Sequence, residues 1–276
     1  MENKIYPRIK NAVLLCLLFL GMQIGFGLLL GIIIGIFGIG TESIFYGIGN
    51  ILLQLISFGI VILIGFKKTK QRFNVVFKFN RVSFGLWLAV VVFMIGFVIL
   101  SSELDNILKV IHFLPMPLFL QNTFEIIMVK QIFIISIILV GVIPAFCEEM
   151  FFRGILLTGF QENYSEKKAV LMSALLFGII HLNPWQFVSA FIIGIFSAWI
   201  CIKTRSIVLS IYIHIFNNII AVIALKYKEI VPIKGFNTAY SEQTFQPLWF
   251  DIIGIVITIL GIILLKLSLK KAKNVP

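Results

Sequence analysis

The sequence predicts an all-α, polytopic integral membrane protein with about eight transmembrane helices. Hydrophobic residues occupy 60% of the 276 positions, whereas soluble domains contain roughly 45–50%. The mean hydropathy is correspondingly high, at +1.07. Apolar runs repeatedly reach the roughly 20 residues that an α-helix needs to cross a bilayer. Most of the chain is therefore predicted to lie within a lipid bilayer.

Eight hydrophobic segments are predicted, at about 12–36, 44–66, 82–100, 131–160, 168–183, 186–202, 206–225 and 249–267. The first follows basic residues, but its apolar run exceeds the roughly 7–15 residues of a signal peptide, so we expect a retained helix. The fifth and sixth segments are separated only by a tight turn at residues 181–184. No internal repeat or soluble accessory domain is evident, which predicts one membrane domain over residues 1–276.

Four basic clusters fall on one side of the membrane if the eight helices alternate. They are Lys4, Arg8 and Lys10; Lys67, Lys68, Lys70, Arg72, Lys78 and Arg81; Lys203 and Arg205; and Lys266, Lys270, Lys271 and Lys273. The positive-inside rule makes this side cytoplasmic, with both termini inside. The net charge of +11 is then explained by the clustering of basic residues on the cytoplasmic side. A nucleic-acid partner is not expected, because no soluble part of the chain presents a basic surface.

The outer connection 101–130 has charged residues among apolar ones and a Pro115-Met116-Pro117 break. This pattern predicts an interfacial helix followed by a turn. His112 lies in this connection and is expected to be an interface residue rather than a ligand.

The three cysteines all fall in predicted membrane segments, at Cys16, Cys147 and Cys201. This placement argues against a disulfide framework, and no CxxC or Cys/His box is present. Cys147 is expected to act as a small buried hydrophobe.

Ionisable side chains in three of the apolar segments are the strongest functional signal. Glu148, Glu149 and Arg153 lie in the fourth segment, and His181 and His214 lie in later ones. A charge at the bilayer centre costs about 3 kcal/mol, so such residues usually mark a functional site. Counted at 1.5 Å per residue from the cytoplasmic ends, four residues lie ~12–20 Å deep, namely Glu148, His181, His214 and Asn218. We expect them to line one cavity.

Helical spacing suggests how these side chains pair. Glu149 and Arg153 are four residues apart, which favours an ion pair on one helix face. Glu148 is rotated by about 100° from Glu149, so it is the freer carboxylate and the candidate general base. His214 and Asn218 share a face of the seventh segment, whereas the neighbouring Asn217 is expected to point elsewhere.

Pro144 lies one turn before Glu148 and should kink the fourth helix.

Amide hydrolysis is the chemistry that suits this set. A carboxylate with an imidazole can activate water, and an imidazole with an amide can stabilise an oxyanion. Two histidines and a glutamate, here His181, His214 and Glu149, would also satisfy a hydrolytic zinc. Spacing does not distinguish metal-bound water from metal-free water. Interhelical hydrogen bonding is the structural alternative for each polar residue taken singly.

Three motifs in successive segments resemble those of the CAAX protease and bacteriocin-processing (CPBP, or Abi) family of intramembrane proteases. They are EExxxR at Glu148, Glu149 and Arg153, FxxxH at Phe177 and His181, and HxxxN at His214 and Asn218. The resemblance covers residues 131–225, the expected catalytic core. It implies a CAAX-prenyl-protease-like bundle of eight helices whose site is accessible from the cytoplasm.

The resemblance also implies a role for each motif residue. Glu148 would activate water together with His181. His214 and Asn218 would stabilise the oxyanion. The remaining residues, Glu149, Arg153 and Phe177, would organise and support the site, with or without a bound zinc.

The leading hypothesis is a (metallo)endopeptidase of the bacterial plasma membrane, since the Lys-, Ile-, Phe- and Asn-rich usage fits an AT-rich bacterium. Its substrate would be a membrane-associated or secreted peptide or protein, in bacteriocin maturation, self-immunity or envelope signalling. One alternative is a non-catalytic immunity or scaffold protein that binds a toxin or partner protein. A transporter or proton relay is another, although the lack of an internal repeat disfavours it. The sequence indicates no oligomeric state.

Overall fold

The computed structural model describes residues 5–111, 116–227, 232–236 and 244–273. In these ranges the regular elements are all helical. They are α1 Ile9–Phe37, α2 Ile44–Thr69, α3 Phe73–Val76, α4 Phe84–Ile111, α5 Leu118–Phe124, α6 Phe133–Asn163, α7 Glu166–Ile179, α8 Pro184–Thr204, α9 Val208–Lys226 and α10 Leu248–Lys273. The predicted all-α polytopic class is confirmed.

Seven of these helices are long and apolar enough to cross a membrane, namely α1, α2, α4, α6, α8, α9 and α10. The predicted fifth span, 168–183, instead forms the 14-residue helix α7, which is about 21 Å long and shorter than a bilayer core. It ends at Ile179 because Leu182 adopts a positive φ of 49°. Asn183 then caps α8, its side chain accepting from the Trp185 backbone N–H. The chain therefore turns back inside the bundle.

The first part of the predicted outer connection 101–130 belongs to helix α4. Helix α4 continues to Ile111, and the buried Lys109 on this extension forms an ion pair of 2.8 Å with Asp105. Pairing lowers the cost of burying these charges, which lets the helix extend past its apolar run. The expected interfacial helix corresponds to α5, whose Leu118 and Phe119 are exposed. His112 and Pro115 lie outside the described residues.

Helix α6 is the structural centre of the bundle. From Phe151 to Phe160 its apolar side chains are fully buried, and α2, α7, α8 and α9 pack around it. The connection after α2 folds beneath this half of α6, where Phe77 is buried. A Cβ atom on Gly154 would lie 2.6 Å from the Phe77 ring, so only glycine fits this contact without movement.

Pro144 interrupts the hydrogen bonding of α6, which widens into π-helical turns at Ile137–Val142 and Met150–Leu156. Proline has no N–H, so the Val140 carbonyl one turn earlier loses its usual helical donor. The side chain of Asn218 donates to this carbonyl at 3.0 Å. Gln54 donates to the adjacent Leu139 carbonyl at 3.4 Å. Two backbone carbonyls near Pro144 therefore accept hydrogen bonds from neighbouring helices, one from α9 and one from α2.

Candidate active site

The predicted ion pair between Glu149 and Arg153 lies at the centre of the bundle. Arg153 Nη1 is 2.9 Å from Glu149 Oε1, and the two residues are 1% and 0% exposed. Arg153 Nη2 donates to the Gly194 carbonyl of α8 at 3.1 Å, and its guanidinium lies 4.7 Å from the centre of the Phe177 ring. The pair therefore ties α6 to α7 and α8 and lies behind the cavity wall.

His214 lies between the two glutamates. Its Nδ1 is 3.2 Å from Glu149 Oε1, and because a carboxylate accepts, Nδ1 is the donor. Its Nε2 is 3.8 Å from Glu148 Oε2, which is too long for a direct hydrogen bond. The Nε2 edge of the ring therefore faces Glu148 across a narrow gap.

His181 follows the end of α7, and Phe177 fixes its orientation. Its Nδ1 is 2.8 Å from the Phe177 carbonyl oxygen, and a carbonyl only accepts, so Nδ1 carries a proton. Nε2 is then the nitrogen available to a molecule in the cavity. The Phe177 ring contacts His181 and His214 edge-on, at centroid distances of 5.1 and 5.3 Å. Phe177 thus contacts both imidazoles.

Glu148 is the carboxylate that faces open space. It is 8% exposed, and its Oε2 accepts no hydrogen bond from the side chains or backbone that the structure describes. It lines a cavity of about 420 Å³ together with His181, His214, Asn217 and Asn218. This volume falls within the roughly 300–1,000 Å³ of typical ligand sites. Phe177 also lines this cavity, so the structure brings five of the predicted site residues to one cavity wall.

Asn218 has a structural bond in addition to its position on this wall. One hydrogen of its amide nitrogen is used by the Val140 carbonyl, and its Oδ1 accepts from Asn217 at 3.3 Å. The second amide hydrogen remains available. Asn217 was expected to point away, but the structure shows it lining the cavity.

Gln54 is a cavity residue that the motifs do not identify. It lines the main cavity and also a second one of about 370 Å³, which it shares with Glu148, His181 and apolar residues of α1 such as Phe19. Its Oε1 accepts no hydrogen bond within the described parts of the chain. The available sequence signal was a pair of amide side chains four residues apart in an apolar run, Asn50 and Gln54, and such residues often face the interior of a bundle.

The three residues predicted as zinc ligands, His181, His214 and Glu149, do not form a ligand set. Over the residues that the structure describes, no three His, Cys, Asp or Glu side chains are arranged to hold a metal. Glu149 Oε1 already contacts both the Arg153 guanidinium and His214 Nδ1, and a neighbouring buried cation opposes metal binding. The reaction proposed for this site therefore uses protein side chains and water.

The cavity occupies the half of the bundle that is remote from the basic clusters. On α4 it is lined by Ser101 and Asp105, near the end of the helix, and on α8 by Trp185 and Gln186, near the start. The basic connections lie at the opposite ends of both helices. If the basic end is cytoplasmic, the expectation of a cytoplasm-accessible site is wrong.

One family model matches the chain, at residues 130–220, about a third of its length, and it is described as type II CAAX prenyl endopeptidase Rce1-like. The matched stretch contains all three motifs, so the family resemblance inferred from them is confirmed. No curated protein and no solved structure matches the chain.

Proposed function

This chain carries an Rce1-like segment at residues 130–220, and from that premise we propose that it is an intramembrane endopeptidase. The observation that carries the proposal is Glu148, a buried carboxylate in the cavity wall beside two imidazoles, one of whose oxygens accepts no hydrogen bond within the described chain. Burying such a group without a hydrogen-bonding partner is costly, and ionisable groups that bear this cost in a membrane are usually functional.

In the proposed reaction, Glu148 takes a proton from a water molecule in the cavity, and the water oxygen bonds to the carbonyl carbon of the scissile amide. His181 positions that water through Nε2, because its Nδ1 is held by the Phe177 carbonyl. The carbon–nitrogen bond breaks when Glu148 passes its proton to the leaving nitrogen. The products are a new carboxyl group and a new amine, so one water is consumed per bond.

His214 and Asn218 are proposed to stabilise the oxyanion that forms on the carbonyl oxygen. Nδ1 of His214 donates to Glu149, so Nε2, which faces Glu148, is the ring atom that would donate to the oxyanion. The second amide hydrogen of Asn218 supplies another donor. Each donor to an oxyanion contributes about 10²–10³-fold in rate.

Glu149 and Arg153 are proposed as positioning residues. Their contacts to His214, Gly194 and Phe177 hold the elements that carry the reacting groups. The proposed substrate is a membrane-associated or secreted peptide or protein in a bacterial plasma membrane. Bacteriocin maturation, self-immunity and envelope signalling are the processes proposed for it.

The test compares cells that carry the wild type or Glu148→Gln at equal membrane abundance, by mass spectrometry of membrane and secreted peptides. A general base contributes about 10²–10⁴-fold, so we expect the product peptides of the wild type to fall at least about 100-fold in the variant. The glutamine preserves the shape of the side chain, and Oε2 of Glu148 makes no hydrogen bond within the described chain that would be lost.

Glu162→Gln is the matched control, because Glu162 is exposed near the end of the same helix. It should leave the peptide profile unchanged. Identical profiles for the wild type and Glu148→Gln, with any cellular phenotype retained, would instead favour the non-catalytic immunity or scaffold role.

A further inference from the structure

We propose that the cavity is entered from the extracytoplasmic side of the membrane, so that the substrate is a peptide segment already exposed on that side. Three structural features support this direction of access. They are the placement of the cavity within the bundle, the closure of the opposite end, and the distribution of basic residues. The identity of the ligand as a peptide substrate rests on the proposed function, whereas the direction of access does not.

Most of the cavity wall comes from the halves of the helices that lie away from the basic clusters. Helices α4 and α9 run away from the basic end, and they contribute Ser101, Asp105 and Asn218 from their later halves; His214 comes from the first half of α9. Helix α8 runs toward the basic end and contributes residues from its first half, such as Gln186. Glu148, midway along α6, is the deepest carboxylate of the cavity. The main cavity therefore leads from Glu148 toward the end of the bundle opposite the basic clusters.

The basic end of the bundle is closed beneath the site. Immediately past Glu148, the side chains of Phe151, Phe152, Ile155 and Leu156 are 0% exposed. This layer is about two helical turns deep, and it separates the carboxylate from the basic face.

The connection between α2 and α4 adds a second layer to this closure. Its Asn80 side chain donates to the Arg205 carbonyl at 2.6 Å, and the Ser206 hydroxyl donates to the Asn80 carbonyl at 2.8 Å. The Ile207 N–H donates to the Lys78 carbonyl at 2.9 Å. These bonds attach the connection to the turn between α8 and α9, so the basic face is covered by ordered backbone.

Charge asymmetry assigns this closed end to the cytoplasm. The connections there include Lys67, Lys68, Lys70, Arg72, Lys78, Arg81, Lys167, Lys168, Lys203 and Arg205. At the other end, Lys109 is paired with Asp105 and Lys130 lies 3.3 Å from Glu125. Lys226 there donates to two backbone carbonyls. The positive-inside rule counts Lys and Arg in short connections, and it places the richer end inside.

A substrate class follows from this geometry. A peptide confined to the cytoplasm would meet the closed apolar layer, whereas an exported peptide or an outer loop of a membrane protein would meet the open cavity. Glu148 lies at the end of this route, so a segment without an acidic side chain at the scissile bond is favoured there.

Cysteine accessibility tests the direction without requiring catalysis. The three native cysteines are buried and are first replaced by alanine. Single cysteines are then introduced at Ser101 in the cavity, at the exposed Glu42 on the proposed outer face, and at the exposed Lys67 on the proposed inner face. Intact cells are treated with a small cationic methanethiosulfonate that does not cross membranes. The cells are then permeabilised, and the remaining thiols are counted with a maleimide.

We expect Ser101→Cys and Glu42→Cys to react in intact cells at least tenfold faster than Lys67→Cys, which should react only after permeabilisation. Modification of Ser101→Cys only after permeabilisation would overturn the proposal, as would no modification under either condition. Inverted reactivity of Glu42→Cys and Lys67→Cys would also overturn it. The labelling is repeated with Glu148→Gln to separate the direction of access from the proposed proteolysis. We expect this variant to lose cleavage but to keep the same labelling pattern.

Discussion

Replacing Arg153 by methionine should strongly destabilise the protein, because the guanidinium compensates a buried carboxylate. The side chains of Arg153 and Glu149 are 0% and 1% exposed, with 2.9 Å between their charged atoms. Methionine preserves much of the side-chain volume but removes the charge and the donor to the Gly194 carbonyl. Glu149 then keeps His214 as its remaining described polar contact.

Removing one partner of a buried ion pair costs about 3–5 kcal/mol. The hydrogen bond to Gly194 shares the same guanidinium, and contributions within one network are not additive, so we take about 4 kcal/mol for the whole change. A domain of comparable size loses about 2–4 °C in Tm per kcal/mol. The expected decrease in the midpoint of thermal unfolding in detergent is therefore about 10 °C.

A double-mutant cycle separates charge compensation from packing. Adding Glu149→Gln to Arg153→Met removes both charges, and replacing a complete buried pair is often close to neutral. The double variant should therefore recover at least half of the lost stability. Arg81→Met is the control, because Arg81 is exposed and a surface change of this kind is worth about 0.5 kcal/mol. The reasoning fails if Arg153→Met is as stable as the control, or if the double variant is no more stable than Arg153→Met.

Two further predictions concern packing and backbone hydrogen bonding in α6. Gly154→Ala should lower stability by about 1–3 kcal/mol, because its Cβ has no room. A Cβ atom on Gly21 would have no neighbour within 4 Å, so Gly21→Ala should not lower the stability. Equal midpoints of thermal unfolding for both would contradict this packing argument. Asn218→Ala should cost about 1 kcal/mol in the native background, but less after Pro144→Ala, which restores the missing helical donor. Equal costs in the two backgrounds would show that Asn218 does not compensate for the proline.

The sequence by itself determined the membrane class, the approximate position of the spans and the chemistry-bearing residues. These properties are local. Span position depends on the length of an apolar run, and the Glu149–Arg153 contact follows from an i, i+4 spacing that helical geometry imposes. The tight turn at residues 181–184 is local too, and α7 ends just before it, at Ile179.

Only the tertiary structure decided how these parts form a site. It bonded Asn218 to Val140, added Gln54 from a helix without motifs, and placed the predicted zinc ligand Glu149 in contact with Arg153. It also located the cavity on the side of Glu148 away from the basic clusters. Helical periodicity is fixed by hydrogen bonds within a few residues, whereas a cavity is the space left by several packed helices. Which side of a buried carboxylate remains open is therefore a property of the whole bundle.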